Sequence, residues 1–395
     1  MPNKTLVKWE EKTINDVCMV ERGSSPRPIK DFITTDNNGV NWIKIGDCSG
    51  KYVTNTAQKI TQEGAKKSRY VKVGDFIISN SMSYGKPYIL KIDGYIHDGW
   101  FVLRLNNDLV NTDYFYYLLS SNYIREQYDA LATGAIVQNI SSDLIKKVTF
   151  KLPPLQEQQR IVGILDEAFE NIEKAKQNAL QNLNNTKELF EKNLIDIIDK
   201  LICPYDEIKN YTKISSGGTP LKSHKEYWIN GDIPWYSSGE LNLVYTEAPE
   251  KYITKLGLDN SNAKVFPKNS LLIGMYDTAA FKMSILDRDA CFNQAICAIA
   301  PCEKLFNPFL YYFFKANRKS YLKDRVGIRQ QNLNKGYIEN LKIPILSIAE
   351  QQKVVAKLDE LQEHTKKLEQ IYEQKIKDLD ELKQSILQKA FNGEL

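Results

Sequence analysis

The chain has 395 residues, 42% hydrophobic and 11% aromatic, which excludes wholesale disorder and exceeds one ordinary core, so two domains plus connecting structure are expected. No run of about 18 apolar residues occurs and residues 1–10 lack the apolar core of a signal peptide, so a soluble, cytoplasmic protein is expected. The net charge of +4 is unevenly spread: residues 1–154 carry 20 Lys and Arg against 16 Asp and Glu, residues 201–347 carry 19 against 14, and the remaining segments are acidic. Two mildly basic bodies suit a phosphate backbone, although so small an excess is also common on ordinary surfaces.

In chain order the first feature is a turn, Gly23-Ser24-Ser25-Pro26, followed by the run Trp42 to Asp47 (WIKIGD). Short β-rich runs at 70–79 and 86–96 are broken by Gly, Asp and Asn. A helical stretch over 112–131 and a strand-like run over 146–152 close the first body. Pro153 and Pro154 then mark the start of a long helix whose apolar positions (Ile161, Leu165, Ala168, Ile172, Ala175, Ala179, Leu183, Thr186, Phe190, Leu194, Ile197) are spaced mostly by fours and threes.

After Pro204 the same order begins again. Gly217-Gly218-Thr219-Pro220 lies 194 positions after the first turn, Trp235 to Glu240 lies 193 after WIKIGD, and Glu350-Gln351-Gln352 lies 193 after Glu157-Gln158-Gln159. Gly134 with Gln138-Asn139-Ile140 recurs as Gly327 with Gln331-Asn332-Leu333, again 193 later. Strand-like runs at 270–276, 281–286 and 338–345, a helical run at 308–326, and a second seam from Val354 through Leu358, Leu361 and Thr365 to Ile386 complete the copy. The chain is therefore a tandem repeat of head and helix. The expected fold is α+β: two globular α/β heads joined by two long antiparallel helices in a coiled-coil rod, related by a pseudo-twofold. The expected segments are 1–152, 153–203, 204–345 and 346–395.

Material for catalysis is scarce. The six cysteines form no C-x-x-C pair, and His97, His224 and His364 are isolated from one another, so no metal and no cofactor is expected. Asn307-Pro308-Phe309 lacks the second proline of an adenine-N6 methyltransferase loop and reads as a helix start. No phosphate-binding G-x-x-x-x-G-K-[S/T] loop occurs, and the E-x-K triplets Glu207-Ile208-Lys209 and Glu373-Gln374-Lys375 read as surface charge.

The Leu-Pro-Pro-Leu-Gln-Glu-Gln-Gln segment (Leu152 to Gln159), its partner Ile345 to Gln352, the Gly-x-x-x-Gln-Asn segments, the Gly-x-[Ser/Thr]-Pro turns and the terminal Lys389 to Leu395 (KAFNGEL) together resemble the specificity subunit of a Type I restriction-modification enzyme. The second copy departs at Leu346-Ser347-Ile348-Ala349, which lacks Pro-Pro and affects the local turn. The resemblance implies a non-catalytic chain with two target recognition domains, each reading one half of an asymmetric double-stranded DNA site. It further implies helices that dock two adenine-N6 methyltransferase subunits, an assembly that can recruit a restriction and translocation subunit, and no membrane association. Two other readings stand beside it: a coiled-coil scaffold without DNA binding, and the recognition chain of a system whose cleavage and methylation share one partner polypeptide.

Residue types suited to phosphate and base edges mark the candidate DNA contacts. In the first head these are Ser24, Ser25, Arg27 and Lys30, then Lys66, Lys67 and Arg69, then Ser83, Tyr84 and Lys86; in the second, Thr219, Lys222, Ser223, His224, Lys225, Lys282, Arg325 and Arg329. Each alone also reads as solvated surface. The repeated Gly, Gln and Asn residues fit a shared structural role, so specificity is expected where the heads differ. Leu180, Ile195, Ile371 and Leu387 flank the seams and are candidate positions for partner helices.

Overall fold

The computed structural model describes residues 9–80, 85–131, 141–276, 279–324 and 333–395. The chain divides into two compact units, Met1–Ala179 with Gln374–Leu395, and Leu180–Glu373. Among the described residues no helix is long and apolar enough to cross a membrane.

In the first unit a five-stranded sheet runs in the order Cys18–Arg22, Trp100–Leu105, Phe76–Ser79, Pro87–Leu90, Tyr52–Val53. Successive side chains on a strand point to opposite faces, and here both faces are buried. Phe76, Ile78, Phe101 and Leu103 enter one core, whereas Ile77, Trp100 and Val102 enter another. A second sheet is ordered Ile33–Thr34, Gln58–Ile60, Val40–Ile43, Gly94–Ile96, Arg69–Val71, and Glu10–Thr13 pairs antiparallel with Thr149–Leu152.

The second unit repeats this plan. Its four-stranded sheet is ordered Ile214–Ser216, Ile296–Ile299, Leu271–Gly274, Met283–Ile285, and its three-stranded sheet Lys251–Ile253, Ile233–Tyr236, Cys291–Phe292. The same alternation sends Leu271, Ile273, Cys297 and Ile299 to one core and Leu272, Ile296 and Ala298 to the other. Tyr205–Glu207 pairs with Lys342–Pro344 as the equivalent ribbon.

The two long helices are Leu155–Asp199 and Ile348–Asn392, 45 residues each. Within the first unit they run antiparallel: Lys176 Nζ lies 2.6 and 2.7 Å from the Asp380 carboxylate, and Arg160 donates to the Leu395 carbonyl at 2.7 Å. Ile161, Leu165, Phe169, Ile172, Leu387, Ala390 and Phe391 join the first core there. Phe190, Leu194, Ile198, Val355 and Leu358 join the core of the second unit.

The repeated glutamine explains how each head grips its helix. Gln158 accepts from the Asn111 amide at 2.8 Å and donates to the Leu109 and Pro153 carbonyls at 3.1 and 2.8 Å. Gln351 accepts from the Phe306 amide at 2.8 Å and donates to the Lys304 and Leu346 carbonyls, both at 2.9 Å. Both side chains are fully buried, so every one of these bonds replaces water.

Several sequence expectations shift locally. The run 112–131 is two helices, Thr112–Leu119 and Asn122–Leu131, because Ser120 and Ser121 turn their hydroxyls to the Tyr116 and Leu118 carbonyls at 2.7 and 2.6 Å. Lys146 and Lys147 end the helix Ser142–Lys147, so the strand begins only at Thr149. Likewise Ile338 belongs to the helix Lys335–Glu339, and the strand is Lys342–Pro344. Asn307-Pro308 does start a helix, Asn307–Tyr321, with proline in its first turn.

Candidate nucleic-acid interface

The glycine-proline turns are set by backbone crowding. A Cβ on Gly23 would lie 2.0 Å from the His97 carbonyl oxygen, and one on Gly217 would lie 2.1 Å from that of Phe292. Only glycine allows the approach. The Gly23 amide donates to the Trp100 carbonyl at 2.8 Å and the Gly217 amide to that of Ile296 at 3.1 Å. The WIKIGD and WYSSGE runs are equally matched. Asp47 accepts from the Lys44 and Ala57 amides at 2.8 and 2.9 Å, and Glu240 from those of Ser237 and Glu250 at 2.6 and 3.0 Å.

On this shared frame the first head gathers a polar cluster around Asp98. Ser25 Oγ donates to its carboxylate at 3.2 Å and Arg27 Nη2 lies 3.0 Å from it, while Arg22 and Asn80 donate to its carbonyl at 3.2 and 3.0 Å. Burial opposes ionisation, but the residue's own amide, Ser25 and Arg27 prevail and hold the carboxyl below the usual range. Ser25, Pro26, Arg27, Ile29, Trp42, His97 and Asp98 line a cleft of about 350 Å³. Ser24 is half-buried, its amide donating to the Ile96 carbonyl at 3.3 Å; Lys30 is exposed just after the turn, and Lys66 is exposed at the end of the separate helix Gln62–Lys66.

Other candidates of this head have work within the fold. Lys67 Nζ sits 4.7 Å over the Phe32 ring. Arg69 pairs with Glu21 at 2.9 Å and donates to the Arg22 carbonyl at 3.1 Å, and Arg104 joins the same Glu21. Lys86 stands apart from the turn, lining a cavity of about 610 Å³ with Tyr116, Phe169 and Leu387.

In the second head Thr219 Oγ1 donates to Gln294 at 2.5 Å, and Lys222, Ser223, His224 and Lys225 are all exposed. His224 stacks on Tyr227 at 4.9 Å and its Nδ1 lies 2.8 Å from Glu226. Lys222, Lys225, Trp228, Ile229, Lys251 and Tyr252 contribute to a cleft of about 560 Å³. Lys282 donates to Asn242 at 3.0 Å. Ser83, Tyr84, Arg325 and Arg329 lie outside the described residues, as do the repeated Gly-x-x-x-Gln-Asn segments.

Along the helices Leu180, Ile195 and Ile371 are exposed, the last at 59%. Leu387 is a correction: it is 1% exposed and packed into the first core, because its side of the helix turns toward Leu165 and Phe169 rather than to solvent. Sequence reading also missed Asp98, Gln294 and the aromatic walls Trp228 and Tyr252. The equivalence of Asp98 and Gln294 was legible only by extending the repeat to the less similar segment between the shared motifs.

Burial pushes the thiols of Cys18, Cys291 and Cys297 up to about 12, in keeping with reduced core residues, and all six cysteines are free. Among the described residues no cluster of His, Cys, Asp and Glu could hold a metal ion.

The geometry defines a tandem two-headed protein whose heads share a frame and differ in the side chains that the frame exposes. Residues 6–182 and 206–378 match the family model of the Type I restriction modification DNA specificity domain, and the chain belongs to that family, as its motifs implied. It is 29% identical over 148 residues to the Type I restriction enzyme EcoR124I/EcoR124II specificity subunit of Escherichia coli, covering 36% of this chain and 37% of that one. It is 31% identical over 175 residues to the MjaIX specificity subunit of Methanocaldococcus jannaschii, covering 42% and 40%. These matches thus span about two fifths of the length of either relative. A putative MjaX specificity subunit from the same organism matches at 24% identity over 98% of this chain and 93% of its own. The fold is similar to a chain from a study of complex assembly and conformational transition of the type I R-M system (TM-score 0.79, 20% identity, 100% of both chains). It is also similar to the HsdS subunit from Thermoanaerobacter tengcongensis (TM-score 0.64, 20% identity, 100% of this chain and 99% of that one).

Proposed function

We propose that this chain is the DNA-recognition subunit of a Type I restriction-modification assembly and itself catalyses no step. Heads 1–152 and 204–345 each read one half of a bipartite, asymmetric site on double-stranded DNA. The helical segments 153–203 and 346–395 dock two adenine-N6 methyltransferase subunits, and restriction subunits join through them in the cytoplasm. The observation that carries this reading is the pair of matched turns with unmatched side chains, Ser25 and Arg27 against Thr219 and Leu221, since two readers on one frame suit two different half-sites. The charged and hydroxyl side chains around them suit phosphate contacts.

The test is direct. Purified chain with S-adenosylmethionine and DNA transfers no methyl group, and transfer begins when the methyltransferase subunit is added. Methylome sequencing of cells with and without the gene then returns a two-part motif that depends on it. Methyl transfer by the chain alone, or a methylome indifferent to the gene, would overturn the proposal.

A further inference from the structure

We propose that the residue following each Gly-x-[Ser/Thr]-Pro turn determines specificity, with Arg27 reading a guanine and Leu221 reading the methyl group of a thymine. This rests on the DNA-reading function proposed above.

The two positions occupy equivalent places. Both turns are pinned by a glycine against a neighbouring carbonyl, and in both the third residue donates across to a facing loop, Ser25 to Asp98 at 3.2 Å and Thr219 to Gln294 at 2.5 Å. From this common frame the next side chain but one projects outward. In the first head it is Arg27, whose side chain is 81% exposed and whose Nη2 rests 3.0 Å from Asp98. A guanidinium has five N–H donors in a planar fork, so one ion pair orients it and leaves an edge suited to the O6 and N7 of guanine.

In the second head two changes occur together. The acid becomes the neutral Gln294, and the arginine becomes Leu221, 62% exposed. The replacement removes both the cation and the anion that would hold it, as a substitution of function rather than of surface charge. Leu221 is followed in sequence by the exposed Lys222 and Lys225, which line a cleft together with the exposed Ile229. Protein interfaces exclude lysine from their centres. Phosphates attract it, and the 5-methyl of thymine is the apolar group that the major groove presents between them. An exposed apolar tip followed by two exposed lysines therefore fits an A·T pair.

The experiment uses the chain assembled with its methyltransferase subunits and duplexes carrying the motif from methylome sequencing. Each thymine is replaced in turn by deoxyuridine, which lacks only the methyl, and each guanine by 7-deazaguanine, which lacks N7. Wild-type assembly should lose about fourfold in affinity at one deoxyuridine position in one half-site, the worth of one buried methyl. It should lose roughly fivefold or more at one 7-deazaguanine position in the other half. Leu221→Ala should abolish the first sensitivity alone, Leu221→Met should keep it, and Arg27→Leu should abolish the second alone. Indifference of the wild-type assembly to every analogue, or variants that keep both sensitivities, would overturn the assignment while leaving DNA recognition intact. Absence of salt-dependent binding to any duplex would instead remove the function on which it rests. Because the analogues sit in the DNA, wild-type indifference overturns the assignment even where a variant assembles poorly. Leu221→Met and Arg27→Lys, which keep the apolar tip and the charge, serve as the assembled controls against which the loss in Leu221→Ala and Arg27→Leu is read.

Discussion

Where the central helix begins, Pro153-Pro154 restricts the backbone, the Glu157 amide donates to the Pro154 carbonyl at 2.9 Å, and the Glu157 side chain turns outward to Arg160 at 2.7 Å. Where the C-terminal helix begins, Ser347 stands at the equivalent position. Its amide and hydroxyl donate to Glu350 at 2.9 and 2.6 Å, and the Glu350 amide donates back to the hydroxyl at 3.3 Å. One start uses a fixed φ and the other a capping box, and both satisfy the first turn. A second pair teaches the same lesson. Gly85 and Phe281 both hold positive φ, 78° and 53°, and their amides donate to the Ser79 and Gly274 carbonyls at 3.0 and 2.8 Å. At Gly85 the space is taken by the Tyr128 ring, whereas Phe281 fills its own space and stacks on Tyr321 at 4.8 Å. The repeat conserves backbone geometry and lets the side chains that enforce it diverge.

The largest effects should come where both copies depend on burial. Leu387→Asp places a charge in the first core and should destabilise that unit by at least about 3 kcal/mol, read by chemical denaturation. Ile371→Asp, on the exposed face of the same helix, should leave the fold within about 0.5 kcal/mol. Weakened assembly with methyltransferase subunits would then mark Ile371 as a docking position, and unchanged assembly on size-exclusion chromatography would remove it from that surface.

Next come the glutamine clamps. Gln158→Leu or Gln351→Leu removes three hydrogen bonds of a fully buried side chain and leaves one amide and two carbonyls, most of them only partly buried, without that partner, so each should cost roughly 1–3 kcal/mol, with similar values because the two sets of bonds match. Strongly unequal losses would break the equivalence of the copies. Ser347→Ala should cost about 1 kcal/mol by removing the cap, whereas Pro154→Ala should be milder because no side-chain bond is lost there.

These residues also show what the sequence made legible. Gly23, Gln158, Trp42 and their counterparts stood out because each answers to a backbone carbonyl, an amide or a filled core, constraints that admit few residue types. The helix break at Ser120-Ser121 was hidden because the apolar spacing continues through it. Asp98 and Gln294 were hidden because their partners lie 73 and 75 residues away and because the two are chemically unlike. The burial of Leu387 was hidden because helical period alone does not say how wide the covered face is.

The smallest expected effect separates the heads by pH. His97 and Asn293 occupy equivalent positions: His97 Nδ1 accepts from the Gly99 amide at 3.0 Å, and Asn293 Oδ1 accepts from the Ala295 amide at 3.1 Å. The imidazole must be neutral to accept. Burial between Trp42 and Trp100 lowers its pKa below the ordinary histidine value of 6.5, Asp98 opposes this, and Lys44 adds to it. With a folded pKa below the unfolded one, the unfolded chain binds more protons in the interval between them, so stability falls as the pH drops through the region below 6.5 and is level above it. The first unit should therefore lose stability in mild acid by a term that the second lacks. His97→Asn should retain the turn, as Asn293 does, and flatten that pH dependence in denaturation curves between about pH 5 and 7. An unchanged slope in the variant would place the acid sensitivity on another group and leave the His97 and Asn293 turns equivalent in pH response as well as in geometry.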